Sequence, residues 1–119
     1  MIKHALFVSC FLAAVPAASF GQNVTAGEEL FNRKCAMCHR LSDATKVGPG
    51  MMGVTERRSD EWLHQWLADP KAMIDKGDPA AVELQRKFKK VMSKVAAMET
   101  EKNRADVIAF LKENDKKKE

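Results

Sequence analysis

No segment constrains this 119-residue chain more than Cys35-Ala36-Met37-Cys38-His39. Two thiols three positions apart, with an imidazole directly after the second, make the pattern C-x-x-C-H. Three of its possible uses meet obstacles. A thioredoxin-like redox pair needs a βαβ setting, and no strand-length alternating run is visible. A zinc site needs four ligands, and beyond the first 21 residues the chain offers Cys35, Cys38, His39 and then only His64, after 24 intervening residues. A plain disulfide, which an oxidising compartment would permit, leaves His39 without a purpose. The remaining use is covalent attachment of haem. Two thiols so spaced, at the end of a helix, can reach vinyl groups on neighbouring porphyrin edges. The histidine after the second thioether is then held beneath the iron as its proximal ligand.

What precedes the motif reads as an export signal. Lys3 and His4 form a short basic start, and Ala5 to Val15 is apolar and free of acids. Ser19-Phe20-Gly21 places small residues where a signal peptidase reads them, with cleavage before Gln22. The apolar run of about 11 residues falls short of the ~20 that a spanning helix needs. The expectation is a cleaved signal over 1–21, a periplasmic domain over 22–119 and no stable membrane insertion of the mature chain. A lipoprotein signal ending at Cys10 fits less well, because the apolar run continues through Phe11-Leu12-Ala13-Ala14. Cys10 leaves with the signal.

The chain carries 20 Lys and Arg against 16 Asp and Glu, and only Lys3 among them falls in the first 21 residues. The remainder is nearly neutral, and haem propionates would bring it closer to zero, so nucleic acid is not expected as a partner. Arg86-Lys87, Lys89-Lys90 and the Lys116-Lys117-Lys118 tail read as a solvated face and a frayed end.

The organisation is helical throughout. Thr25 to Glu28 fits a capping box, so a first helix is expected from about Ala26 to Lys34 with Leu30 and Phe31 inward. Arg40 to Val54, with Gly48-Pro49-Gly50 and Gly53, reads as a loop. Ser59 is an N-cap for a second helix on which Trp62, Leu63, Trp66 and Leu67 share one face, ended by Asp69-Pro70. Asp78-Pro79 opens a third, with Ala81, Leu84, Phe88 and Val91 as its apolar stripe. A last helix spans roughly 101–113 and buries Val107, Ile108, Phe110 and Leu111. The class is all-α.

Taken in order, these pieces resemble a known family, the class I (mitochondrial-like) monohaem cytochromes c of bacterial periplasmic type. The resemblance covers about residues 25–113. It rests on Gly27 and Phe31 before the haem motif, Gly48-Pro49, Trp62-Leu63 to Asp69-Pro70, Lys76 to Leu84, and Ala105 to Leu111. It implies about four short helices and loops wrapped around one covalently bound haem c. The first helix would cross the last, with Gly27 allowing close approach and Phe31 and Phe110 filling the crossing. The Pro49 carbonyl would accept a hydrogen bond from His39 Nδ1–H, fixing the ring's tautomer and basicity.

The family closes the sixth coordination site with a methionine thioether, which favours ferrous iron. Met92 fits best: it lies 53 residues after His39 and 18 before Phe110, close to the family's spacing. Lys90-Val91-Met92 matches a segment that normally continues with proline, and here Ser93 follows. Met98 is the second candidate, and reads better as filling an apolar slot before the last helix. Met51 and Met52 sit close to the proximal loop, Met73 is a further alternative, and Met37 lies between the cysteines. His64 reads as a surface side chain, Trp62 and Trp66 as core, one of whose indole N–H groups could reach a haem propionate.

The implied function is one-electron transfer by a periplasmic carrier with His39/Met92 ligation, not an enzyme. Its partners would be redox proteins: a dehydrogenase or cytochrome complex as donor, an oxidase or reductase as acceptor. Lys46, Lys89, Lys90 and Lys94 are candidates for steering acidic partner surfaces. The alternatives are the haem-bearing subunit of a periplasmic dehydrogenase, and a haem enzyme or gas sensor with an open sixth site.

Overall fold

Helices α1 (Val24–Lys34) and α6 (Glu101–Asp115) cross at a point where one of them has no side chain. A Cβ on Gly27 would lie 2.0 Å from the Asp106 carbonyl oxygen and 2.9 Å from Phe110 Cβ, so only glycine permits this approach. One turn on, the rings of Phe31 and Phe110 meet at 5.6 Å between centroids, tilted by 53°. The coordinates are those of a computed structural model that describes residues 22–118. The signal-like segment lies outside the described residues.

Four further helices and one 3₁₀ turn complete the chain: α2 (Val54–Arg57), α3 (Asp60–Ala68), α4 (Pro70–Asp75), α5 (Pro79–Phe88) and the turn Ala96–Glu99. No strand occurs among the described residues. Helix α6 is the hub, packing on α1, α2, α3 and the 3₁₀ turn. Its residues Val107, Ile108, Phe110 and Leu111 are buried with Leu30, Phe31, Leu63, Leu67, Val54 and Met98 in one cluster. Enclosed on several sides, α6 buries more than one stripe, including the carboxylate of Asp106. Asp106 Oδ1 accepts the Asn23 N–H at 2.8 Å and Oδ2 accepts Lys102 Nζ at 2.6 Å. Burial pushes this carboxyl up, but the Asn23 N–H and the Lys102 ammonium together outweigh it and hold it below the usual carboxylate range.

Local capping explains most boundaries. Ser59 Oγ accepts the Trp62 N–H and starts α3, and Asp78 with Pro79 starts α5. Asp69 ends α3 and caps α4 through Ala72 N–H, so the Asp-Pro pair joins two helices where a single stop was expected.

Three expectations need correction. Helix α1 begins two residues early, because Asn23 replaces Thr25 as cap: its side chain accepts the Ala26 N–H while its own N–H reaches Asp106. Helix α5 ends at Phe88, where Lys89 turns left-handed at φ 53°, so Val91 lies beyond the helix and is exposed. Trp62 and Trp66 are half-buried and stack on each other at 5.2 Å and 11°, with Arg58 over the Trp62 ring. Trp62 Nε1–H donates to Asp78 Oδ1 at 3.0 Å. That bond and the Ala81 N–H hold Asp78 below the usual carboxylate range.

Candidate functional site

The haem motif continues the end of α1. Cys35 N–H still donates to the Phe31 carbonyl, and the N–H groups of Cys38 and His39 both donate to the Cys35 carbonyl at 3.0 Å. This extra turn brings both sulfurs and the imidazole to one end of the helix. The chain then folds back on itself. The Cys38 carbonyl accepts Val47 and Gly48 N–H, and Arg40 and Ser42 carbonyls accept Met51 and Met52 N–H.

That return path places Pro49 against the histidine, with 2.8 Å between His39 Nδ1 and the Pro49 carbonyl oxygen. A carbonyl can only accept, so Nδ1–H donates, and in the neutral ring Nε2 presents its lone pair. Gly48 packs on the same ring: a Cβ there would lie 2.5 Å from His39 Cε1. Ring and tautomer are thus both held before any metal is considered, which is what a proximal ligand requires.

Cys35 is buried, Cys38 half-buried, and neither is in a disulfide. Burial first, and the neighbouring Cys38 second, push the Cys35 thiol up to about 11. Among the described residues, no three His, Cys, Asp or Glu side chains gather as a metal-ion site. Two free thiols, a lone-pair-bearing Nε2 and an adjoining apolar cluster fit a haem held by thioethers and an axial imidazole.

The methionines divide by environment. Met98 is fully buried, its N–H bonded to the Val95 carbonyl and its own carbonyl bonded to Arg104 Nη1 at 2.7 Å. Met73 is buried in α4, and Met37 is 81% exposed. Met51, near the proximal loop, and Met92, on the irregular segment after α5, are half-buried and border the cluster that contains Cys35. Met52 is half-buried as well. His64, expected at the surface, is half-buried on α3, and its Nδ1 is buried without a hydrogen-bond partner.

Comparison with known proteins agrees with this geometry. The cytochrome c family model matches residues 24–115. The chain belongs to the cytochrome c family. As a member, this cytochrome carries covalently attached c-type haem, and its size fits one. It is 29% identical to cytochrome c of Dictyostelium discoideum over 105 residues, which cover 79% of this chain and 93% of that one. Cytochrome c from Rhodothermus marinus superposes with a TM-score of 0.71 at 26% identity, covering 86% of this chain and 89% of that chain. The cytochrome c domain of a Pseudomonas putida protein gives 0.66 at 26%, covering 76% and 89%. An engineered form of the Rhodothermus cytochrome has been solved with a carbene intermediate bound (TM-score 0.67, 26% identity, 86% and 89% coverage). The cytochrome c family is generally one of electron carriers, and haem-based electron transfer is the role its membership supports here.

Sequence reasoning missed two groups beside this site, Asn114 and Asp115. Both are buried at the end of α6, past the helix end expected at 113. An acidic residue beside a lysine tail carries no sequence signal of burial.

Proposed function

We propose that this protein carries single electrons between redox proteins in the periplasm, on one haem held by Cys35 and Cys38 and ligated by His39 and Met92. The observation that carries the reading is the His39 Nδ1–Pro49 carbonyl contact of 2.8 Å directly after two free thiols. The haem iron supplies the one-electron couple. The chain's own residues set its conditions. Cys35 and Cys38 hold the group irreversibly, and Pro49 makes His39 a stronger donor. The cluster around Phe31, Leu63 and Phe110 excludes water and lowers the local dielectric.

Met92 is the chosen distal ligand because it is both partly accessible and on a segment free of helical hydrogen bonding. Met98 and Met73 are fully committed to packing. The export-signal pattern over 1–21 supports the periplasmic location, and exposed Lys89, Lys90 and Lys94 beside Met92 suit acidic partner surfaces. No helix of the described residues is long and apolar enough to cross a membrane.

The test is spectroscopic. Ferric holoprotein should be low-spin with the weak far-red band of sulfur-to-iron charge transfer. A high-spin ferric spectrum without that band would contradict closed His/Met ligation and favour an open sixth site. Co-purification with a dehydrogenase would make the protein a permanent subunit in place of a free carrier.

A further inference from the structure

The last turn of α6 clamps both ends of the loop that carries Pro49. Asn114 Nδ2 donates to the Leu41 carbonyl at 2.9 Å, two residues after His39. Asp115 Oδ1 accepts the Gly53 N–H at 2.6 Å, four residues after Pro49. Asp115 Oδ2 accepts both the Thr55 N–H at 2.9 Å and the Thr55 hydroxyl at 2.5 Å. Both side chains are nearly inaccessible, Asn114 4% and Asp115 6% exposed. Three donors converge on one buried carboxylate, and charge-assisted bonds of this kind are roughly twice as strong as neutral ones.

Between the clamped ends, the loop is tied to its own start by backbone bonds, from Val47 and Gly48 N–H to the Cys38 carbonyl and from Met51 and Met52 N–H to the Arg40 and Ser42 carbonyls. Residues 40–53 contain no helix. Gly53 sits at φ +79°, a conformation that lets its N–H turn toward α6. Gly50 lies against the Ser42 carbonyl, where a Cβ would be 2.2 Å away. The position of the Pro49 carbonyl against His39 thus rests on these local bonds and on the seating of both loop ends on α6.

We propose that Asp115, with Asn114, is a positioning residue for the proximal ligand: by seating the loop ends it sets the strength of the His39–Pro49 hydrogen bond, and through it the haem potential. This rests on the reading of His39 as the axial ligand. The sign follows from the chemistry. A strong Nδ1–H···O=C bond increases electron donation from the imidazole and stabilises ferric iron. Removing the Asp115 carboxylate leaves Gly53 N–H, Thr55 N–H and the Thr55 hydroxyl without their acceptor. The loop relaxes, the bond to His39 lengthens, and the potential rises.

The experiment uses full-length holoprotein. Asp115→Ala is compared with Asp106→Asn, a change in the first half of α6 that also removes a buried charge but touches no part of the loop. The readouts are reduction potential, hydrogen exchange of the His39 ring N–H in the diamagnetic ferrous protein, and denaturant midpoint. Asp115→Ala should raise the potential and speed ring N–H exchange. Asp106→Asn should lower the midpoint and leave both of the other readouts unchanged. A milder change, Thr55→Val, removes one of the three donors and should shift the potential upward by less, which keeps the test open if Asp115→Ala does not accumulate. Equal potentials and exchange rates in wild type and the loop-clamp variants would overturn the proposal and leave Asp115 a stabilising residue only. Haem that leaves the wild-type protein in acid and organic solvent would instead overturn the underlying assignment of Cys35, Cys38 and His39.

Discussion

The Gly27 Cα faces the Asp106 carbonyl so closely that a single methyl group would stand 2.0 Å from its oxygen. That carbonyl is backbone of α6, which carries the core residues Val107, Ile108, Phe110 and Leu111 and cannot shift without disturbing all of them. Gly27→Ala should therefore destabilise the holoprotein, by roughly 1–3 kcal/mol or more for overpacking of this kind. Chemical denaturation followed by circular dichroism reads the loss. A midpoint equal to wild type would show that the helices can separate freely.

Two methionines six residues apart should behave oppositely. Met98 is fully buried in the core and its backbone is held by Val95 and Arg104. Met98→Ala should cost about 2–5 kcal/mol through the cavity it leaves, with the far-red ferric band intact. Met92→Ala should remove that band and lower the potential, since a soft thioether favours ferrous iron and axial ligands move haem potentials over ~0.8 V. The reverse pattern would move the distal ligand to Met98.

Acid should reveal the Asp106 anchor. Its carboxyl is held below the usual range when folded, so the unfolded chain binds its proton more readily. The stabilisation is fully present above the unfolded value near ~3.9 and is lost as pH falls through the lower folded value. Asp106→Asn should be less stable than wild type at neutral pH, and the gap should narrow below about pH 4. Denaturant midpoints measured from pH 7 downward check this, and a gap independent of pH would contradict it.

Much of the fold is legible because the signals are local. Ser59 and Asp78-Pro79 start helices through contacts three residues away, and the structure places both as caps. Leu30, Phe31 and the 107–111 stretch show their burial in their spacing. Helix α4 leaves no periodic signal, because Pro70–Asp75 is too short to display one. The α1 start differs from the local expectation because Asn23 becomes the better cap only when its N–H meets Asp106, 83 residues away. The same distance effect hides Asn114 and Asp115, whose partners lie 60–73 residues earlier. Around the site, the chemistry of Cys35, Cys38 and His39 was readable from adjacent positions alone. The partner of the Trp62 N–H was not, because Asp78 and a propionate are equally good acceptors on paper.

The central claim is that the haem is bonded to the chain through Cys35 and Cys38, and intact mass of the denatured, purified protein tests it most directly. The predicted result is a polypeptide heavier by one haem, with the increment retained in acid and organic solvent and absent from a Cys35→Ala, Cys38→Ala double variant. A wild-type mass equal to the bare polypeptide, with haem recovered in the organic phase, would contradict it.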